Sequence, residues 1–132
     1  MKQNKDVQTL TRVEMEIMTR LWEMEKKSAS VRELLALYSD PKPAYTTIGT
    51  YMKILTQKGF VTPEKHADDG KTYFFRPLIS QEEYRRRVMK DVKDTFFGGS
   101  VKSLVSFFMQ EEKLKEEEIR ELMELIAPPN LP

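Results

Sequence analysis

Thr46, Gly49, Thr50 and Lys53 recur at intervals of three and four, a spacing that sets them side by side on one face of a helix. Such a face is suited to recognising a polyanion rather than to catalysis. Short side chains let a helix backbone approach base edges closely. Threonine hydroxyls and methyls meet phosphates or thymine methyls, and a lysine neutralises phosphate charge. Tyr45 and Thr47 share the segment. A second group of cations, Lys65, His66 and Lys71, follows in a β-prone stretch and suits contacts to backbone phosphates, although Asp68 and Asp69 lie among them.

Other chemistries find little support. The chain has no cysteine, which removes disulfides, thiolate nucleophiles and Cys-based metal sites. His66 is the sole histidine, so it lacks the partners a metal site needs, and neither a metal nor a cofactor is expected. Glu111, Glu112, Glu116, Glu117 and Glu118 fall at a helix start and on its exposed face, where the helix dipole favours carboxylates and no base is paired with them. No glycine-rich phosphate loop, nucleophile elbow or zinc motif occurs, and the expectation is a protein that is not an enzyme.

The net charge is only +1, but it is unevenly distributed. Residues 42 to 79 carry six cations (Lys42, Lys53, Lys58, Lys65, Lys71, Arg76) against three acids, and Arg85, Arg86 and Arg87 follow. Residues 111 to 126 carry seven acids against three bases. A basic middle and an acidic C-terminal part imply two working surfaces, of which the first suits phosphates. The first ten residues hold no apolar stretch of the kind that directs export, and no run of about 18 apolar residues occurs. The expected location is therefore cytoplasmic, without membrane insertion.

The elements that position these residues are legible from caps and periodicity. Thr11-Arg12-Val13-Glu14 is a capping box opening a helix over 11 to 24, with Val13, Ile17, Met18, Leu21 and Trp22 as its apolar stripe. Ser30-Val31-Arg32-Glu33 opens a second, through Leu34, Leu35 and Leu37, that ends before Asp40-Pro41. A third begins near Ala44 or Tyr45 and stops before Gly59, with Ile48, Tyr51, Met52 and Leu55 on its apolar face. Phe60-Val61-Thr62 and Thr72-Tyr73-Phe74-Phe75, joined through Asp68-Asp69-Gly70, read as an antiparallel hairpin, with Pro63 and Pro77 at edge or end positions. Ser80-Gln81-Glu82-Glu83 caps a fourth helix through about residue 96, Gly98-Gly99 breaks it, and two amphipathic helices follow.

Three helices, a hairpin and three further helices make a mainly α protein with a small β-hairpin wing. The order is that of a winged helix-turn-helix domain, 1–79, followed by a helical dimerisation domain, 80–132. The helix over 45 to 57 is then the one that enters a DNA major groove. Phe96, Phe97, Leu104, Phe107, Phe108, Leu114, Ile119, Leu122 and Ile126 exceed what a three-helix appendage buries by itself, and a second copy of the chain would cover them. The near-neutral charge also fits a winged-helix protein-interaction module, and a regulator gated by a small molecule stays open as a third reading.

Several segments are similar to those of one family. They are Leu10-Thr11 with Glu14, Ile17-Met18, Leu21-Trp22, Ala44-Tyr45-Thr46-Thr47-Ile48 with Thr50 and Leu55, and Lys58-Gly59-Phe60-Val61. The strand from Tyr73 to Pro77 and Phe97-Gly98-Gly99-Ser100 with Leu104-Val105 continue the likeness. Over residues 9 to 126 the chain resembles the penicillinase repressor family, the BlaI/MecI type. The resemblance implies a homodimeric repressor on a double-stranded, inverted-repeat operator, controlling resistance or cell-envelope stress genes, with a membrane sensor protease that cuts the dimerisation region. Relatives in the resistance branch are cut at an Asn-Phe bond. The matching region here reads Val105-Ser106-Phe107-Phe108, a departure with no asparagine, and Ser106 and Phe107 are the corresponding candidate cleavage positions. Gly49 stands where several relatives carry a long side chain, which leaves base readout to Thr46, Thr50 and Lys53. The copper-responsive branch relies on a C-terminal cysteine cluster that this chain lacks.

Overall fold

The computed structural model describes residues 8–65 and 68–126. Its elements are α1 (Arg12–Glu23), α2 (Val31–Leu35), α3 (Tyr45–Gln57), β1 (Val61–Lys65), β2 (Tyr73–Pro77), α4 (Gln81–Phe96), α5 (Val101–Glu112) and α6 (Glu116–Ile126). The architecture is the expected one, mainly helical with one small antiparallel hairpin.

Local chemistry sets the helix starts. Thr11 Oγ1 accepts from the Glu14 N–H at 3.3 Å while the Glu14 carboxylate accepts from the Thr11 N–H at 2.9 Å, so both halves of the first capping box form. Ser30 and Glu33 repeat the arrangement at 3.1 and 3.2 Å. The box at Ser80 is half made. Ser80 Oγ accepts from the Glu83 N–H at 3.0 Å, but the Glu83 carboxylate turns outward to Arg86 and Arg87. α2 is shorter than its pattern predicts, because the chain tightens after Leu35 into i+3 turns through Leu37 and Tyr38. The Lys42 ammonium completes that end by donating to the carbonyls of Leu35, at 3.2 Å, and Tyr38.

β1 and β2 pair with Val61 opposite Pro77, Pro63 opposite Phe75 and Lys65 opposite Tyr73. Phe75 exchanges both of its backbone hydrogen bonds, at 2.8 and 3.1 Å, with Ala29, on the side of β2 away from β1. Pro63 therefore faces Phe75 at a position where the ladder needs no N–H, which explains how a proline sits inside a strand. The Ala29 bridge, absent from the sequence reading, also ties the segment before α2 to the hairpin.

The described residues up to Val88 form one compact unit and those from Met89 another, with the division within α4. The core of the first unit comprises Ile17, Met18 and Leu21 of α1, Leu34 of α2, Ile48, Met52 and Leu55 of α3, and Phe60 and Val61. The beginning of α4 belongs to it through aromatic packing. The Tyr84 ring lies 6.0 Å from Trp22 and edge-on to Phe60 at 5.6 Å. Trp22 Nε1–H donates to the Ile79 carbonyl at 2.9 Å, and the Tyr84 hydroxyl accepts from the Leu10 N–H at 2.7 Å. In the second unit Gly98 and Gly99 take positive φ of 57° and 81° to turn the chain between α4 and α5, a conformation that side chains disfavour.

One position of the α1 stripe is corrected by the structure: Val13 is 37% exposed and Glu14 is buried in its place. Lys58, just past α3, makes that burial tolerable. Its ammonium lies 2.7 Å from Glu14 Oε1 and also donates to the Thr9 carbonyl at 2.8 Å. Burial raises the carboxyl pKa, but the Lys58 ammonium and the Thr11 donors outweigh it, and the net direction is below the ordinary value of 4.5. Because the folded pKa lies below the unfolded one, the pair stabilises fully above about pH 4.5 and loses that effect as the pH falls through the folded pKa. Lys58→Met, which strands the carboxylate, is expected to cost on the order of 2–4 kcal/mol in denaturant unfolding, and Glu14→Gln less. The gap in stability between wild type and Glu14→Gln should narrow between pH 7 and pH 3; a constant gap would exclude the ion pair as its source.

Candidate nucleic-acid interface

Burial of Ile48, Met52 and Leu55 sets the rotation of α3 and turns its other face outward. Thr46, Thr47, Thr50 and Lys53 are all exposed. Thr50 Oγ1 donates to the Thr46 carbonyl at 3.0 Å, and its oxygen keeps acceptor capacity on this exposed face. Tyr45, at the first position of the helix, is 52% exposed, with the Arg32 guanidinium 6.0 Å over its ring. Gly49 lies on the flank of this face. A methyl group built on it would meet no atom within 4 Å, and its backbone is ordinary helix. Neither packing nor conformation requires a glycine there, although glycine within a helix costs about 1 kcal/mol relative to alanine.

Lys65 ends β1 with its ammonium 5.7 Å over the Tyr73 ring, and Lys71 is exposed beyond the turn. His66 lies outside the described residues. Asp69 is engaged within the turn: one carboxylate oxygen accepts from the N–H groups of Lys71 and Thr72 at 2.8 and 2.9 Å, the other from the Thr72 hydroxyl at 2.6 Å. Its lone pairs shape the loop that the sequence reading saw only as an opposing charge.

The six cations of the basic middle fall into two groups. Lys42 caps α2, Lys58 pairs with Glu14, and Arg76 pairs with Glu64 at 3.0 Å. Lys53, Lys65 and Lys71 have no ion-pair partner among the described residues. Between α3 and the hairpin lies an open notch of about 280 Å³ lined by Gly49, Lys53, Thr56, Pro63, Tyr73 and Phe75. Pro63, Tyr73 and Phe75 stand out in the sequence only as strand residues. The signal that would have found them is the two-residue period of a strand, which sets Tyr73 and Phe75 on one face.

A second open depression, of about 510 Å³, lies beside Trp22 and the start of α4, but of its cations Lys26 and Arg76 already pair with Glu33 and Glu64, and Lys27 donates to the Trp22 carbonyl at 2.6 Å. No cluster of three or more metal-ligating side chains occurs among the described residues, and none of their helices is long and apolar enough to cross a membrane.

Within the second unit, Phe96, Phe107, Phe108 and Leu122 are exposed, while Phe97, Leu104, Leu114 and Ile119 are partly buried. The Ile126 side chain lies outside the description. Phe96 is 73% exposed, and no residue of α5 is fully buried. The Phe107 ring lies 5.6 Å from Phe97, tilted at 58°, and 5.4 Å from Phe108, edge-on. Ser106 and Phe107, both exposed, stand in the middle of α5.

Comparison with known proteins agrees with this geometry. Residues 10–128 match the family profile described as penicillinase repressor. The chain is 27% identical over 118 residues to the methicillin resistance regulatory protein MecI of Staphylococcus aureus strain N315, covering 89% of this chain and 92% of that protein. It is 28% identical over 124 residues to the penicillinase repressor of Staphylococcus aureus (93% and 94% covered). It is 24% identical over 123 residues to that of Bacillus licheniformis, covering 92% of each. With the profile spanning nearly every described element, from the first capping box to α6, the chain belongs to the penicillinase repressor family.

Proposed function

We propose that this transcriptional repressor binds an inverted-repeat operator as a homodimer, with α3 in the major groove and the hairpin along the flanking backbone. The observation that carries the proposal is the division of the basic residues. Lys53, Lys65 and Lys71, on α3 and the hairpin, are free of carboxylate partners among the described residues, while their neighbours are engaged in holding the fold. Thr46 and Thr50 offer methyls and hydroxyls to base edges, and Lys53 neutralises a phosphate. The regulatory names of the staphylococcal and Bacillus relatives support the same role.

The direct test is fluorescence anisotropy with DNA from upstream of the gene, beside a scrambled duplex, at several salt concentrations. Selective, salt-steep binding of two protomers per site is expected. Lys53→Ala should weaken it and reduce the slope of log K against log salt by about 0.9 per protomer contact removed. An unchanged slope would remove Lys53 from the phosphate contacts, and equal weak binding to both duplexes would favour a protein-interaction role.

The exposed aromatic surface of α5 and of the end of α4 is what a second copy would bury, since such apolar area is unfavourable in water and two recognition helices need a fixed separation. Phe108→Asp should shift sedimentation from dimer to monomer at micromolar concentration and weaken operator binding at least tenfold, with helical content retained. A variant that stays dimeric assigns the interface elsewhere.

Relief of repression would follow cleavage at Ser106 and Phe107 by a membrane sensor protease, responding to a β-lactam or to envelope stress, because a cut in α5 divides the dimerisation surface. A fragment ending near residue 106 is expected after induction of cells, and an intact chain under derepressing conditions excludes the mechanism.

A further inference from the structure

We infer that the notch between α3 and the hairpin receives a deoxyribose of the operator backbone, and that Gly49 is the residue that keeps it open. The inference rests on the DNA-binding reading above and extends it to one position that nothing in the fold explains. Gly49 has helical backbone and open space where a side chain would stand, so the chain itself makes no use of the missing methyl. The space is bounded by Pro63, Tyr73 and Phe75 across from α3, with Lys53 on the same helix as Gly49. Its volume, about 280 Å³, lies at the lower limit for small-molecule sites and suits one part of a larger ligand.

The lining defines that part by its chemistry. Proline and aromatic walls accept C–H surface, while the Lys53 ammonium, with no carboxylate partner among the described residues, and Lys65 beside Tyr73 attract an anion next to it. A nucleic-acid backbone alternates these two features, an apolar sugar face between phosphates. Position agrees with chemistry: a helix seated in the major groove has bases before its outward crest, here Thr46 and Thr50, and a backbone strand along its flank. The notch lies on that flank, between the helix and the wing. A thymine methyl shares the apolar character but carries no adjoining charge.

The test uses the full chain, its operator duplex, and the variants Gly49→Ala and Gly49→Leu. Both should fold, and Gly49→Ala should melt about 4 °C higher through its better helix propensity. Operator affinity should nevertheless fall, several-fold for Gly49→Ala and more than tenfold for Gly49→Leu. Single 2′-methoxy nucleotides scanned along each strand should reveal one sugar per half-site that weakens the wild type. At that site the modification should cost Gly49→Leu nothing further, the non-additivity expected of two groups competing for one space. Gly49→Leu binding as tightly as wild type overturns the inference alone. A loss that vanishes when uracil replaces thymine assigns the notch to a methyl group and overturns the sugar. A wild-type chain that binds no duplex overturns the repressor reading and this inference with it.

Discussion

The rotation of α3 about its own axis is the constraint on which the rest of the first unit depends. Ile48, Met52 and Leu55 can be removed from water together only if the helix turns one side to the core formed by α1 and α2. Once that side is chosen, the side of Thr46, Thr50 and Lys53 has no alternative but to face outward. The outward polar face proposed for recognition is thus a by-product of burial on the opposite face. The ion pair between Lys58 and Glu14 holds the end of α3 to the start of α1, so the helix is fixed along its length as well as in rotation.

The hairpin is held by a different kind of interaction. Among the described residues its two strands pair with each other and, through Phe75, with Ala29, and burial is concentrated at Val61, at the start of β1. Lys65, Lys71 and Tyr73 stay at the surface while Phe75 turns toward the core. Asp69 knits the turn with its own carboxylate, which is why an acidic residue is compatible with a tip rich in cations.

The second unit follows opposite logic. Its helices have clear amphipathic patterns, yet no residue of α5 is fully buried, and its two phenylalanines meet edge-on at the surface. Exposed aromatic side chains grouped in this way commonly mark an interaction surface. The contrast between a first unit with a buried core and a second whose α5 has no fully buried residue underlies the proposal that the former contacts DNA and the latter joins protomers.

Element types and order were written in the sequence because their causes are local. Capping boxes at Thr11 and Ser30, the glycines after Phe97, and the period of apolar residues act over a few positions. The outward face of α3 was legible for the same reason, as the complement of an apolar stripe. Other features depend on pairs far apart in the chain. Glu14 meets Lys58 and displaces Val13 from the core, Ala29 joins the hairpin, and Tyr84 packs on Trp22 so that the compact unit runs into α4. The half-formed box at Ser80 shows that even a local motif yields when its glutamate finds a better partner in nearby arginines. The sequence by itself determined which segments are helix and strand and which faces are apolar. Only the tertiary structure decided which lysines are engaged by the fold and which have no ion-pair partner among the described residues, because that choice is made by groups brought together in space rather than along the chain.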